Sequence, residues 1–393
     1  MAFASTAQAG ITIPAGDWTV DLGGNVNAFY SHTKTDGVAD SKNTIGTGLL
    51  PAQLGVGAKT RQNDLDIAVQ FSFFTSTSAD ADNGANGRAL NRGAQINVRQ
   101  AYLTFGDASW GTVKLGRDLG IYGSDAILSD MTLLSVGGNY TPGGTTTLGR
   151  IGQGYMYADW WGQIAYTTPN WNGFQATGAV LQGVTADTAT TAAGGAAATN
   201  NGDMMWQGKV TYDFAANDVT GRAWLGGTTQ KNTGYTSKGL DVGAKVAYQG
   251  LELVGYYYDG EGLSSVNWNN TAGVSAYTSN VVIGALNGSL GHFTVTSAQA
   301  TGNVKSDDSG GYVQATFKIP GVGTKLGASW GESNSKNNTT AQEASVETWI
   351  VAAYHPLTKN LNLVAEYANA TNKYTGKSDV DVKTTSLGAI LFF

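Results

Sequence analysis

No stretch of this chain holds the ~20 consecutive apolar residues that a membrane-crossing helix needs, yet apolar and polar residues alternate along it from Trp18 to the terminal Phe393. In the opening segment Val20, Leu22, Gly24, Val26, Ala28 and Tyr30 share one parity, and Thr19, Asp21, Asn25 and Asn27 the other. At the far end Leu387, Ala389, Leu391 and Phe393 alternate with Ser386 and Gly388. Period two marks a strand with one oily face and one polar face. Repeated along most of the chain, it describes a transmembrane barrel wall. Lipid offers no partner to backbone polar groups, so strands can cross a bilayer only if the sheet closes on itself.

Composition agrees. Charged residues make up 13% of the 393, about half the fraction usual in a soluble domain. The hydrophobic share of 41% suits strands that show lipid only every second residue. Cysteine is absent, which removes thiolate metal sites and disulfides and fits export through an oxidising compartment. A net charge of −6 disfavours nucleic acid as a partner, because no basic excess is available to neutralise phosphates. Ala7-Gln8-Ala9 before Gly10 is a small-x-small pattern, so residues 1–9 are expected to be a signal-peptide remnant and 10–393 a single barrel domain.

Hairpins follow one another along the chain. Leu54 to Arg61 turns at Gln62-Asn63-Asp64 and returns through Leu65 to Phe73, and Ala94 to Gly106 turns at Asp107 to Trp110 into Thr112 to Arg117. Gln163 to Thr168 turns at Pro169 to Asn172 into Phe174 to Leu181, and further turns fall near Asn217, Gly250, Gly288, Gly321 and His355-Pro356. Short turns alternate with long polar connections, as in outer-membrane barrels. The expected fold is therefore all-β, a transmembrane antiparallel β-barrel of about 16 to 18 strands. The hairpin count favours the upper figure. Between about 118 and 160 alternation lapses, and the apolar residues Ile127, Leu128 and Met131 to Val136 would be costly outside. This segment is expected to fold back into the lumen.

With the apolar phase facing lipid, the inward set contains Lys59, Arg61, Lys114, Lys209, Arg222, Lys245, Lys318 and Lys325, against the acids Asp66, Asp241, Glu252 and Glu366. A charge facing mid-bilayer costs about 2 to 4 kcal/mol, which sets this phase. Arg117 shares parity with Val113 and Leu115, so a bulge at Gly116 is expected to turn it inward. Arg150 lies at the far end of the long loop, and Asp118, Asp125 and Asp130 supply carboxylates that could oppose wall cations across a narrow aqueous gap. Tyr256 and Tyr258 fall inward, as a slide for solutes or as filling, while Trp18, Tyr30, Tyr212, Tyr248, Trp330, Tyr354 and Tyr367 fit interfacial belts.

The runs Arg99-Gln100-Ala101-Tyr102-Leu103 and Gly111-Thr112-Val113-Lys114-Leu115-Gly116-Arg117, then Tyr166, Pro169, Gly173-Phe174 and the final Phe393, resemble Gram-negative outer-membrane porins of the neisserial and related proteobacterial general-diffusion type. That resemblance implies a third loop folded into the channel and wall arginines opposing loop acids. It assigns pore-constricting roles to Arg117, Arg150, Asp125 and Asp130, beside Lys114 and Asp118. It also implies a homotrimer in the outer membrane of a Gram-negative bacterium, in contact with lipid and lipopolysaccharide, with Phe393 read as the assembly signal. Where many relatives carry an acidic Pro-Glu-Phe-Gly-Gly turn, this chain has Leu134-Ser135-Val136-Gly137-Gly138.

The expected function is a water-filled channel for passive diffusion of small hydrophilic solutes and ions, with a mild anion preference from the basic wall. No cofactor is called for. One alternative is an 18-stranded channel selective for a sugar or organic acid. A barrel-type enzyme would need a nucleophile beside a base, and of His32, His292 and His355 only His32 falls near the outer rim. A soluble all-β binding protein or adhesin would come away without detergent.

Overall fold

The computed structural model describes residues 10–75, 96–138, 147–183, 203–231, 236–263, 306–337, 343–376 and 378–393. Its strands in chain order are β1 (Ile11–Ala15), β2 (Trp18–Thr35), β3 (Lys42–Gly46), β4 (Ala52–Gln62), β5 (Leu65–Thr75), β6 (Asn97–Asp107) and β7 (Gly111–Leu119). After the long loop come β8 (Trp160–Thr167), β9 (Phe174–Leu181), β10 (Met205–Ala216), β11 (Val219–Lys231), β12 (Thr236–Tyr248) and β13 (Leu251–Glu261). The remainder are β14 (Ser306–Lys318), β15 (Lys325–Asn337), β16 (Glu343–Pro356), β17 (Leu361–Tyr374) and β18 (Val380–Phe392). Among the described residues no helix is long and apolar enough to cross a membrane.

Among the described residues sixteen strands form the closed antiparallel wall, with β1 and β3 as short additions beside β2. The lower end of the expected range therefore describes the wall. β13 pairs directly with β14 (Tyr256↔Tyr312), so the barrel closes without the hairpin expected near Gly288, which lies outside the described residues. Closure runs along β18 and β2 (Leu387↔Tyr30). Phe393 extends the seam, donating from its amide to the Gly24 carbonyl at 3.1 Å and accepting from Gly24 N at 2.9 Å.

Alternation translates directly into faces. Val26, Leu54, Phe71, Leu225, Val242, Val351 and Leu387 are exposed on the outside, while Asn25, Asn27, Gln207, Gln314 and Ser386 are buried on the inside. Short turns sit where the punctuation placed them: Asn63 and Asp64 adopt φ values of 48° and 62°, the paired left-handed geometry of a tight hairpin. Trp330 and Trp349 stand outward as belt residues do, and Trp349 is 5.2 Å from the Tyr367 ring. Tyr354 departs from the expected belt. It is buried at 2% exposure, on the inward parity of β16 with Ile350 and Ala352.

Apolar side chains also appear on the inner face, where simple alternation predicts polar ones. Val254, Ile350, Val364 and Ile390 point inward and are buried. What covers them is the loop between β7 and β8. Ile121, Ile127 and Ile151 join a cluster with Trp224, Val254 and Tyr312. Met131, Leu134 and Val136 join a second with Phe29, Ile350 and Val364. Burying each such side chain is worth about 1.5–3 kcal/mol, and that sum holds an uncommonly long connection against the wall.

Candidate functional site

The loop enters the lumen at Gly120, whose amide donates to the Asp159 carbonyl at 2.8 Å and so closes the base of the excursion. It then tracks around the inside of the wall. Gln207 on β10 accepts from the amides of Ile121 (2.7 Å) and Tyr122 (3.1 Å), and Asp241 on β12 accepts from Gly123 N at 3.0 Å. A one-turn helix, α1 (Ser124–Ser129), follows, with Asp125 in its first turn, where the helix dipole favours a carboxylate. Gln314 on β14 accepts from Met131 N at 2.7 Å and donates to the Ser129 carbonyl at 3.0 Å. Tyr312 and Tyr354 donate to the carbonyls of Ala126 and Met131 at 2.7 and 2.9 Å. Glu366 on β17 accepts from the Ser135 hydroxyl and from Gly137 N.

Asp125 is the electrostatic centre of this arrangement. Lys209 Nζ lies 2.5 Å from one carboxylate oxygen and Arg222 Nη1 3.0 Å from the other. Arg222 meanwhile grips Asp213 through Nε and Nη2, both at 2.6 Å. Burial pushes the Asp125 carboxyl up, but Lys209 and Arg222 outweigh it and hold the group below the ordinary carboxylate range. Wall cations thus do meet a loop acid, though through Lys209 and Arg222 rather than through the two arginines the resemblance singled out.

Those two lie elsewhere. Gly116 does not shift the phase: the β6–β7 register runs unbroken through Ala101↔Arg117, Tyr102↔Gly116 and Leu103↔Leu115. The expected bulge is therefore corrected, and Arg117 stays exposed on the parity of Val113 and Leu115. Gly116 answers a different need. Its φ is +127°, and a Cβ there would come within 2.4 Å of the Ala101 carbonyl oxygen. Arg150 faces no open water at all, with 0% exposure. Its Nη1 donates to the carbonyls of Gln153 (3.2 Å) and Thr348 (3.1 Å), which makes it a strut between loop and wall. Asp130 is likewise internal. It caps the following turn through Thr132 and accepts from the Tyr155 hydroxyl at 2.7 Å.

Other predicted site residues stand elsewhere on the wall. Lys114 pairs with Asp118, which also accepts from Gln100 at 2.8 Å, and the Lys114 ammonium lies 5.0 Å over the Tyr102 ring. Lys59 pairs with Asp21 at 2.9 Å, and Arg61 with Asp66 (2.8 Å) and Asp107 (2.9 Å). Lys245, Lys318 and Lys325 remain at the short-turn end of β12, β14 and β15, lining one cavity with Glu252. Tyr256 and Tyr258 fill space under the loop, bonded to Asp241 and Ser333.

Reading for charge alone missed the residues that dock the loop by neutral hydrogen bonds: Gln207, Gln314, Tyr312, Tyr354, Ser333 and Thr348. Their one available signal was an amide, phenol or hydroxyl on an inward parity. Of the histidines, His32 bonds Asn43 and His355 bonds Thr324, while His292 lies outside the described residues. Among the described residues no cluster of His, Asp or Glu could hold a metal ion.

A closed wall, oily outside, with a loop folded against its inner face defines an outer-membrane diffusion channel. The chain belongs to the Gram-negative porin family, which matches residues 1–375. Among solved structures it is similar to the outer membrane channel DcaP of Acinetobacter baumannii (TM-score 0.64, 17% identity, 98% of this chain and 100% of that one). It is also similar to OmpF of Salmonella typhi in complex with daunomycin (0.60, 19%, 98% and 100%). A third is an anion-selective porin from Comamonas acidovorans (0.58, 16%, 96% and 100%). At such identities the likeness is one of fold. A search of curated proteins returned no match. The protein resides in the Gram-negative outer membrane and forms a water-filled channel for passive diffusion.

Proposed function

We propose that the channel passes small hydrophilic solutes with a mild preference for anions, set at its short-turn end. One observation carries this. Lys59, Arg61, Lys114, Lys209 and Arg222 are each matched by a carboxylate within 3.0 Å, so they add little net charge to the passage. Lys245, Lys318 and Lys325 have no ion pair among the described residues and share their cavity with Glu252, Asp130 and Asp218. Asp130 is turned into the loop toward Tyr155, and Asp218 sits at the rim beside Gln249. The positive excess is thus concentrated in a recess whose low-dielectric walls focus its field. Replacing Lys245, Lys318 and Lys325 together by glutamine should move the zero-current potential under a tenfold salt gradient toward cation preference. An unchanged potential would place the selectivity elsewhere.

The homotrimer belongs to the same proposal. An outward guanidinium at mid-bilayer depth costs about 2–4 kcal/mol if it faces hydrocarbon. Arg117 lies on the outer face of β7, and a polar surface of a second copy would remove that cost. Arg117→Leu should then lower the temperature at which trimers dissociate on a semi-native gel. A rise in that temperature would instead mark Arg117 as lipid-facing.

A further inference from the structure

We propose that the recess beneath α1 at the short-turn end binds small monocarboxylates that carry an apolar body, such as aromatic acids. This rests on the channel reading and deepens it. The recess has a volume of about 450 Å³, within the range of small-molecule sites. Its two sides differ in chemistry. On the wall, Lys318 and Lys325 are direct cross-strand partners, a like-charge pairing that destabilises a sheet unless something offsets it. Lys325 is steered by the Tyr354 ring, 4.9 Å from its ammonium, and Lys245 approaches from β12. Of the three carboxylates in the lining, Asp130 is engaged by Tyr155 and Asp218 by Gln249, which leaves Glu252 to oppose these charges. Facing them on the loop, Leu128 is 45% exposed, the one exposed residue of α1, with Leu133 half-buried beside it. An exposed leucine lining the same recess as three lysines matches a ligand with a charged head and an oily tail. Such a molecule would neutralise the lysine pair and cover the leucine at once. A purely polar anion such as acetate gains only the first of these.

The test is single-channel recording in planar bilayers with benzoate or acetate added on the short-turn side against a chloride background. Benzoate should reduce the chloride current saturably, at a concentration roughly tenfold below that for acetate, the ratio expected for burying ~60 Å² of ring. Leu128→Ser should bring the two acids together, and the pair Lys318→Gln and Lys325→Gln should remove block by both. Gel heat-modifiability checks that each variant is a folded barrel. Equal block by benzoate and acetate in the unmodified channel, or tenfold discrimination that survives Leu128→Ser, overturns the proposal. The zero-current potential from the same membranes separates the two readings: anion preference without benzoate block rejects the recess alone, whereas cation preference rejects the reading on which it rests.

Discussion

Replacing Asp125 by alanine should release α1 from the wall, raise single-channel conductance and current noise, and strengthen anion preference. The change leaves Lys209 and Arg222 facing a space that has lost its carboxylate. Breaking a buried pair costs about 3–5 kcal/mol. Here the partners are not sealed, with side-chain exposures of 19% for Lys209 and 38% for Arg222, so solvent screening brings the loss nearer to about 2–3 kcal/mol. That corresponds to a shift of roughly 30- to 150-fold in the ratio of docked to undocked loop. The wall itself should survive, because its ladder does not run through Asp125. Conductance and reversal potential both unchanged in Asp125→Ala would show that the loop is held by its apolar contacts and neutral hydrogen bonds without this carboxylate.

The same group predicts a response to acid. Its folded value lies below the ordinary one, so its contribution is fully present above the unfolded carboxylate pKa of about 4 and is lost as pH falls through the depressed folded value. Open-channel noise should be flat from neutral pH down to about 4 and rise below it. Asp125→Asn should be noisy throughout and lack the acid step.

Truncating Arg150 to alanine should have the second large effect. The guanidinium is wholly enclosed, with Asp130 first and also Glu366 among the charges it feels, and it ties the return limb of the loop to the Thr348 carbonyl. Removing it takes away a positive charge that Asp130 feels at a distance, leaves the Gln153 and Thr348 carbonyls without this donor and opens a cavity. The guanidinium Nε and Nη2 have no hydrogen-bond partner among the described residues, so relief of their desolvation offsets part of this, and a net loss of about 1.5–3 kcal/mol is expected. Because the chain has no cysteine, a single Thr147→Cys is a clean reporter of this limb: Thr147 is buried and donates to the Val136 carbonyl at 2.6 Å. In the Arg150→Ala background that thiol should react with a small maleimide at least tenfold faster than in the parent, the least that such a loss implies. Equal rates would mean that the limb holds without the arginine.

The contrast between these two residues shows where sequence reading succeeded. Asp125 was legible as a loop acid facing basic walls because the inward phase of β10 and β11 follows from lipid exclusion, and Lys209 and Arg222 lie on that phase. Arg150 was legible only as a loop cation. Whether it faces water or the interior depends on how the return limb is seated against β15 and β16, nearly two hundred residues away in sequence (Arg150 to Thr348, a separation of 198). Gly116 was misread for a related reason. A glycine inside a strand signals either a bulge or a close backbone approach, and only the position of Ala101 on the neighbouring strand distinguishes them.

What the sequence determined by itself is local and periodic. Parity placed Val26, Leu225 and Leu387 in lipid and Asn27, Gln207 and Ser386 inside, because a charged or amide group in hydrocarbon is costly at every such position; the turn at Asn63-Asp64 follows from residues that tolerate positive φ. Tertiary structure alone decided the rest: sixteen wall strands rather than eighteen, Tyr354 turned inward to hold Met131, Lys209 and Arg222 as the partners of Asp125, and Arg150 buried as a strut. Each depends on the path of one loop across strands far apart in the chain, and a pattern of period two carries no information about which strand that loop will meet.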